Sequence, residues 1–161
     1  LLGGTSSARL PTVRGTKPRE IGFVDMGTRR KGRETALQIL FQMDLSDVPA
    51  ERAIELFWSN LGATREGEDF ANALVRGYGA VRDTVDERIR SVSQHWRLER
   101  MSRVDRNIIR LGAYELLKMP EVPARVSLNE AIELAKRYGN EGSAAFVNGV
   151  LDKIAADCGK S

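Results

Sequence analysis

The sequence predicts an all-α fold, a compact bundle of about seven helices, and three observations carry that prediction. Apolar residues recur at helical spacing nearly everywhere from residue 28 onward. Helix start and stop signals punctuate that pattern at short intervals. No segment shows the strict alternation of a half-buried strand. An aromatic share of 6% is also low for packed sheets, and no long-period self-similarity suggests a solenoid.

The elements follow in order. Residues 29–45 carry Ala36, Leu37, Leu40, Phe41, Met43 and Leu45 on a wide apolar stripe. Pro49 opens a second helix, whose face is Ile54, Phe57, Trp58 and Leu61, with Gly62 closing it. From 66 to 93 one face runs through Phe70, Leu74, Tyr78, Val81, Val85, Ile89 and Val92, and Gly77 and Gly79 are the expected points of bending or breakage. Trp96 and Leu98 fall in a short connector. Ser102 and Asp105 form a capping start for a helix carrying Val104, Ile108, Ile109, Leu111, Leu116 and Leu117, stopped by Pro120 and Pro123. Ser127 and Glu130 read as a capping box for the next, with Gly139 at its end. Ser143 starts a last helix with Val147, Val150, Leu151 and Ile154 inward. The 161 residues suffice for one core.

Net charge is +3, but it is unevenly placed. Residues 1–33 hold eight basic side chains against Glu20 and Asp25, a surplus of six, so the rest of the chain is net −3. A basic arm on an acidic body is a footprint of nucleic-acid binding or a solvated tail. Residues 1–26 read as a structureless leader rich in Gly, Ser and Pro. The chain starts at Leu1, and Met26 directly precedes the first helical pattern, so Met26 is the expected natural start. Residues 27–157 form the expected folded domain and 158–161 a frayed tail. No apolar run resembles a signal peptide or membrane span, and one thiol fits a soluble intracellular protein.

Arg29, Arg30, Lys31 and Arg33 stand at the expected start of the first helix, where cations oppose the helix dipole. Stability would favour acids there, so the cluster points to phosphate binding. Arg103, Arg106 and Arg110 share a second face, read as solvated and neutralised by Glu99 and Asp105, or else as a mixed-charge docking surface. Phe146 lies at the edge of the last helix's buried face, a core-rim position or a base-stacking platform. Asn148 and Gly149, poor helix formers in mid-helix, suggest close helix packing at Gly149 with Asn148 bonding to a neighbouring backbone. No catalytic or metal site emerges. His95 and Cys158 are the only residues of their kinds, which excludes a disulfide framework and a Cys/His zinc site. Glu130 is assigned to capping and Glu133 to an ion pair with Arg137, and Gly77-Tyr78-Gly79 lacks a phosphate-loop setting. No cofactor is expected.

Three stretches together resemble the NusB family of bacterial transcription antitermination factors: RRKGRETALQILFQMDLS at 29–46, VDRNIIRLGAYELL at 104–117 and VSLNEAIELAKRYGNEGSAAFVNGVLDKI at 126–154. The likeness covers about residues 27–156. It implies two packed helical subdomains and a cytoplasmic protein. That protein would bind boxA-type single-stranded RNA of ribosomal RNA transcripts together with NusE, a small-subunit ribosomal protein, and join the other Nus factors on RNA polymerase. By position, the resemblance implies RNA contacts at Arg29, Arg30, Lys31, Arg33 and Phe146, and partner contacts at Phe41, Glu99 and Asp105. Gly142 and Ala145 depart from the acidic or polar residue and the basic residue frequent at those positions, which predicts one phosphate contact fewer. Two rival readings are a helical interaction scaffold without RNA binding and a NusB-like domain cut from an rRNA cytosine methyltransferase. The latter requires a glycine-rich donor loop after a strand, and the sequence shows none.

Overall fold

A computed structural model describes residues 18–160 apart from Leu61 and Ala63, with side chains from Gly27 onward. Seven α-helices and one 3-10 turn account for the described chain: α1 (Pro18–Ser46), α2 (Ala50–Trp58), α3 (Glu68–Ala80), α4 (Arg82–Val92), the turn Leu98–Arg100, α5 (Arg103–Lys118), α6 (Ala124–Tyr138) and α7 (Ser143–Asp157). No strand occurs among the described residues. The all-α expectation holds. Residues 1–17 of the expected leader, and Leu61 of the expected α2 face, lie outside the described residues.

The fold has two groups of helices. α1 packs along α3 and also meets α2; α5, α6 and α7 pack on one another, with α4 against α5 and α7. α5 lies between the groups, touching α1 and α3 on one side and α6 and α7 on the other. It therefore has the widest buried surface, including Ile108, Ile109, Leu111, Ala113 and Leu116. Against these lie Leu37, Leu40, Leu74, Val75, Leu151 and Ile154, forming one continuous core. Burying such side chains contributes about 1.5–3 kcal/mol each before chain entropy is counted.

Two glycine contacts set close helix approaches. Gly67 precedes α3 with φ +78°, and a Cβ there would lie 2.6 Å from the backbone nitrogen of Gly32 in α1. Gly32 in turn has the Gly67 carbonyl and the Phe70 ring 3.0 Å from its own Cβ position. This glycine-on-glycine contact brings Phe70 against the basic stretch of α1. Farther along α3, a Cβ on Gly77 would lie 1.9 Å from the Tyr114 hydroxyl of α5.

Five details depart from the sequence reading. First, α1 begins at Pro18, so backbone expected to be leader is helical and the Arg-rich stretch is in mid-helix. Pro suits that first position because it has no N–H to leave unpaired. Second, the pattern from 66 to 93 breaks at Val81 (φ −126°, ψ 29°), not at either glycine. Gly77 is retained in a helix by Tyr114, and the chain turns where α4 must swing toward α5. Third, α2 ends at Trp58, with the Ser59 N–H on the Glu55 carbonyl, before Gly62. Fourth, α6 begins at Ala124 after Pro123, so Ser127 and Glu130 are not a capping box. Their side chains serve tertiary contacts instead. Fifth, the tail is tied down: the Lys160 ammonium donates to the carbonyls of Glu115 (3.3 Å) and Met119 (2.9 Å) at the end of α5. A cation there also meets the negative end of the helix dipole. By contrast, Ser102 does cap α5, accepting from the Asp105 N–H at 3.1 Å, as its spacing predicts.

Candidate nucleic-acid interface

The basic stretch of α1 divides into a solvent side and a core side. One helical turn separates Arg33 from Leu37 and two separate it from Leu40, so Arg33 continues the apolar stripe inward. Its side chain is only 5% exposed. Its Nε and Nη2 donate to Glu115 Oε2 and Oε1, both at 2.8 Å, and the Ser127 hydroxyl donates to the same Oε1 at 2.8 Å. This is a buried, bidentate pair joining α1, α5 and α6, and it corrects the expectation that Arg33 meets a phosphate. The guanidinium is already satisfied inside the protein, and withdrawing it would leave Glu115 buried and unpaired.

The other three cations are at the surface. Arg29 sits over the Phe70 ring, 4.8 Å from its centre. Arg30, 57% exposed, donates to both carboxylate oxygens of Glu130 on α6, at 3.1 and 2.7 Å. That hydrogen-bonded carboxylate raises the Arg30 pKa further. Lys31 lies 3.8 Å from Glu34, which Arg137 of α6 also grips. Glu133 pairs with Lys136, not with Arg137 as its spacing suggested, because Arg137 reaches across to α1. The helix-dipole argument for this cluster also lapses, since α1 starts eleven residues before Arg29. What remains is a surface trio of cations, Arg29 over Phe70 and Arg30 and Lys31 beside acidic residues that a phosphate can displace.

The second basic series is a solvated face only at Arg103, which is exposed. Arg106 and Arg110 are largely buried and converge on Asp44 of α1 and Asp86 of α4. Asp44 accepts from Arg106 (2.9 Å) and Asn107 (3.0 Å), with Arg103 at 3.5 Å and Arg110 at 3.6 Å. Partial burial pushes the Asp44 pKa up, but those hydrogen bonds and charges outweigh it and hold the carboxyl below its ordinary value. Asp86 takes two bonds from Arg110 at 3.0 Å and one from the Tyr78 hydroxyl at 3.0 Å. Burial, chiefly, raises the Tyr78 pKa, so the phenol stays a donor. The neutralising acids expected here, Glu99 and Asp105, are not the ones used.

The candidate partner residues are split in the same way. Phe41 is half-buried on an apolar cavity of about 560 Å³ that also involves Leu56, Phe57, Val104 and Tyr138. Leu56 and Tyr138 are exposed on it. Glu99 is exposed and accepts from Arg90 at 3.0 Å; its own backbone hydrogen bond, then Arg90, lowers its pKa. Asp105 is buried and accepts from the Ser143 hydroxyl at 2.6 Å, which ties α5 to the start of α7. It faces inward.

Phe146 lies half-buried in a groove between α7 and the chain after α4, among Val92, Trp96 and Gly149. The residues lining that groove include none of the α1 cations. Gly149 is exposed, and nothing lies within 4 Å of a Cβ built there, so the expected close helix contact is absent; Asn148 is also exposed. His95 is exposed and Cys158 half-buried. Among the described residues no group of three His, Cys, Asp or Glu could hold a metal ion. No described helix is long and apolar enough to cross a membrane. Sequence reasoning missed Glu115, Asp44 and Asp86 as partners of the arginines, and Ser127 as a donor to Glu115. Glu115 did carry a signal, since one and two turns before it on α5 are Leu111 and Ile108, both core residues.

Comparison with known proteins bears on this surface. Residues 30–156 match the NusB family. The transcription antitermination protein NusB of Sorangium cellulosum (strain So ce56) is 53% identical over 135 residues, covering 84% of this chain and 96% of that protein. The protein of the same name from Myxococcus xanthus (strain DK1622) is 46% identical over 139 residues, covering 84% and 99%. Among solved structures, NusB of T. maritima superposes with a TM-score of 0.71 at 36% identity, covering 80% of this chain and 91% of that one. A chain in the crystal structure of antitermination factors NusB and NusE in complex with dsRNA gives 0.71 at 27%, covering 82% and 98%.

Proposed function

Since this chain belongs to the NusB family, we infer that it is a transcription antitermination factor that binds RNA together with NusE. The observation that carries this is the match over residues 30–156, joined to the likeness to a NusB chain seen with NusE and RNA. The RNA we assign is boxA-type single-stranded RNA of ribosomal RNA transcripts. The assembly is the antitermination complex on RNA polymerase with the other Nus factors, in the bacterial cytoplasm. The protein works by binding, and we assign it no catalytic step and no cofactor.

The surface supports a division of labour. Arg29, Arg30 and Lys31 neutralise phosphates, a sequence-blind contribution that weakens with salt. Arg30 must exchange Glu130 for a phosphate, and Lys31 shares Glu34 with Arg137, so each contact yields less than a free cation would. Specificity then comes from unstacked bases held on side chains such as Phe146. With Arg30 and Lys31 already paired to acidic residues, affinity depends on a partner that extends the RNA path, which adds a second attachment for the same ligand. Phe41 and Glu99 are the partner contacts this reading assigns; Asp105 contributes by holding α5 to α7.

The test is a shift assay with a boxA-type RNA, with and without NusE, at two salt concentrations. Binding that is tight only with NusE and falls with salt is expected. Failure to bind with NusE present refutes the function, and equally tight binding by the chain alone refutes the division of labour.

A further inference from the structure

Gly149 sits inside α7, exposed, with open space where a side chain would go. Glycine weakens a helix at such a position relative to alanine, and no close packing explains it here. The open space is the floor of a groove of about 290 Å³. Phe146 and Lys153 border it from α7; His95 and Trp96 border it from the chain leaving α4.

Trp96 is 55% exposed. The other tryptophan, Trp58, donates its indole N–H to Asn72 and packs edge-on against Phe57. Trp96 has a fixed backbone: the Ser93 hydroxyl donates to its carbonyl at 2.8 Å, and its N–H donates to the Ser93 carbonyl at 3.2 Å. A wide apolar ring is thus held in water on a tight turn. Lys153 and His95 enter no ion pair among the described residues, unlike Arg30, Lys31 and Arg33 of α1. An exposed aromatic face, an open floor and an uncommitted cation together suit a flat, anionic, single-stranded ligand.

We propose that this groove receives an unpaired RNA base, stacked on Trp96 over Gly149, with Lys153 on the flanking phosphate. The proposal rests on the RNA-binding function inferred above and extends the RNA path to the far side of Phe146. Gly149 leaves out a side chain that would occupy the base's place.

A Trp58→Phe protein retains Trp96 as its only indole, so its emission reports the groove. With NusE present, titration with a boxA-type RNA quenches that emission. In the otherwise unaltered chain, Trp96→Ala lowers RNA affinity about tenfold, within the range of one lost base stack. Lys153→Ala reduces the salt slope by about one. Gly149→Leu raises the melting temperature while lowering RNA affinity, a pairing of effects that a structural glycine does not produce. Full-strength RNA binding with unchanged Trp96 emission and an unaffected Trp96→Ala variant overturns the groove while leaving the antitermination function in place. Emission that responds to NusE alone and not to RNA assigns the groove to the protein partner and overturns it too. Absence of any RNA binding by the unaltered chain with NusE overturns both.

Discussion

Replacing Arg33 with Ala separates a buried structural arginine from a phosphate ligand. Arg33 and Glu115 share two 2.8 Å bonds, and Ser127 supplies a third donor to the carboxylate. After Arg33→Ala, Glu115 stays 1% exposed with a single hydroxyl to stabilise its charge. Breaking a buried pair on one side costs about 3–5 kcal/mol, which for a domain of this size lowers the melting temperature by roughly 10 °C or more. Replacing both partners, as in Arg33→Met with Glu115→Met, removes the stranded charge. Most of the loss should then return, except about 1–2 kcal/mol for the Ser127 hydroxyl left without its acceptor. Thermal and urea unfolding of the two single variants and the double variant measure this. RNA binding by the folded double variant, with NusE, should stay close to that of the unaltered protein. If Arg33→Ala instead unfolds like the unaltered chain and loses both RNA affinity and salt slope, the buried-pair reasoning is wrong and the original phosphate reading is right.

Arg30→Ala, at an exposed site, should change stability by less than about 1 kcal/mol, yet weaken RNA binding and reduce the salt slope by about one. Glu130→Gln should do the reverse, strengthening RNA binding several-fold by releasing Arg30; a shift assay reads both. Asp44 has a folded-state pKa below its ordinary value of 3.8, so its contribution to stability is present above that value and is lost as pH falls through the lower folded one. Asp44→Asn should therefore destabilise at neutral pH, and should flatten the stability profile below about pH 4 in acid unfolding. Gly77→Ala drives a methyl into the Tyr114 ring and should cost about 1–3 kcal/mol. Combined with Tyr114→Leu it should cost less than the sum of the two, as a double-mutant cycle of unfolding free energies would show.

The sequence by itself determined the helices and their inward faces. Periodicity is local: Leu37 and Leu40 on α1, Ile108 and Leu111 on α5, and Val147, Leu151 and Ile154 on α7 all lie where their spacing puts them. The Ser102 cap was legible for the same reason, since donor and acceptor are three residues apart. Family resemblance added the antitermination function, because long stretches of matched sequence survive whatever each charge does. Tertiary structure decided which charged residues are available. Arg30 and Arg33 differ by three positions and look alike in the sequence. One pairs with Glu130 at the exposed surface, and the other lies on the Leu37 stripe against Glu115, 82 residues away. Ser127 and Glu130 spell a capping box, yet Pro123 starts α6 earlier and turns Ser127 to Glu115 of α5 and Glu130 to Arg30 of α1. A charge is costly to bury unless a partner arrives from another helix, and that arrival depends on packing over long sequence distances. Gly149 and Trp96 follow the same logic in reverse: only the packed helices show that one leaves a space and the other faces it.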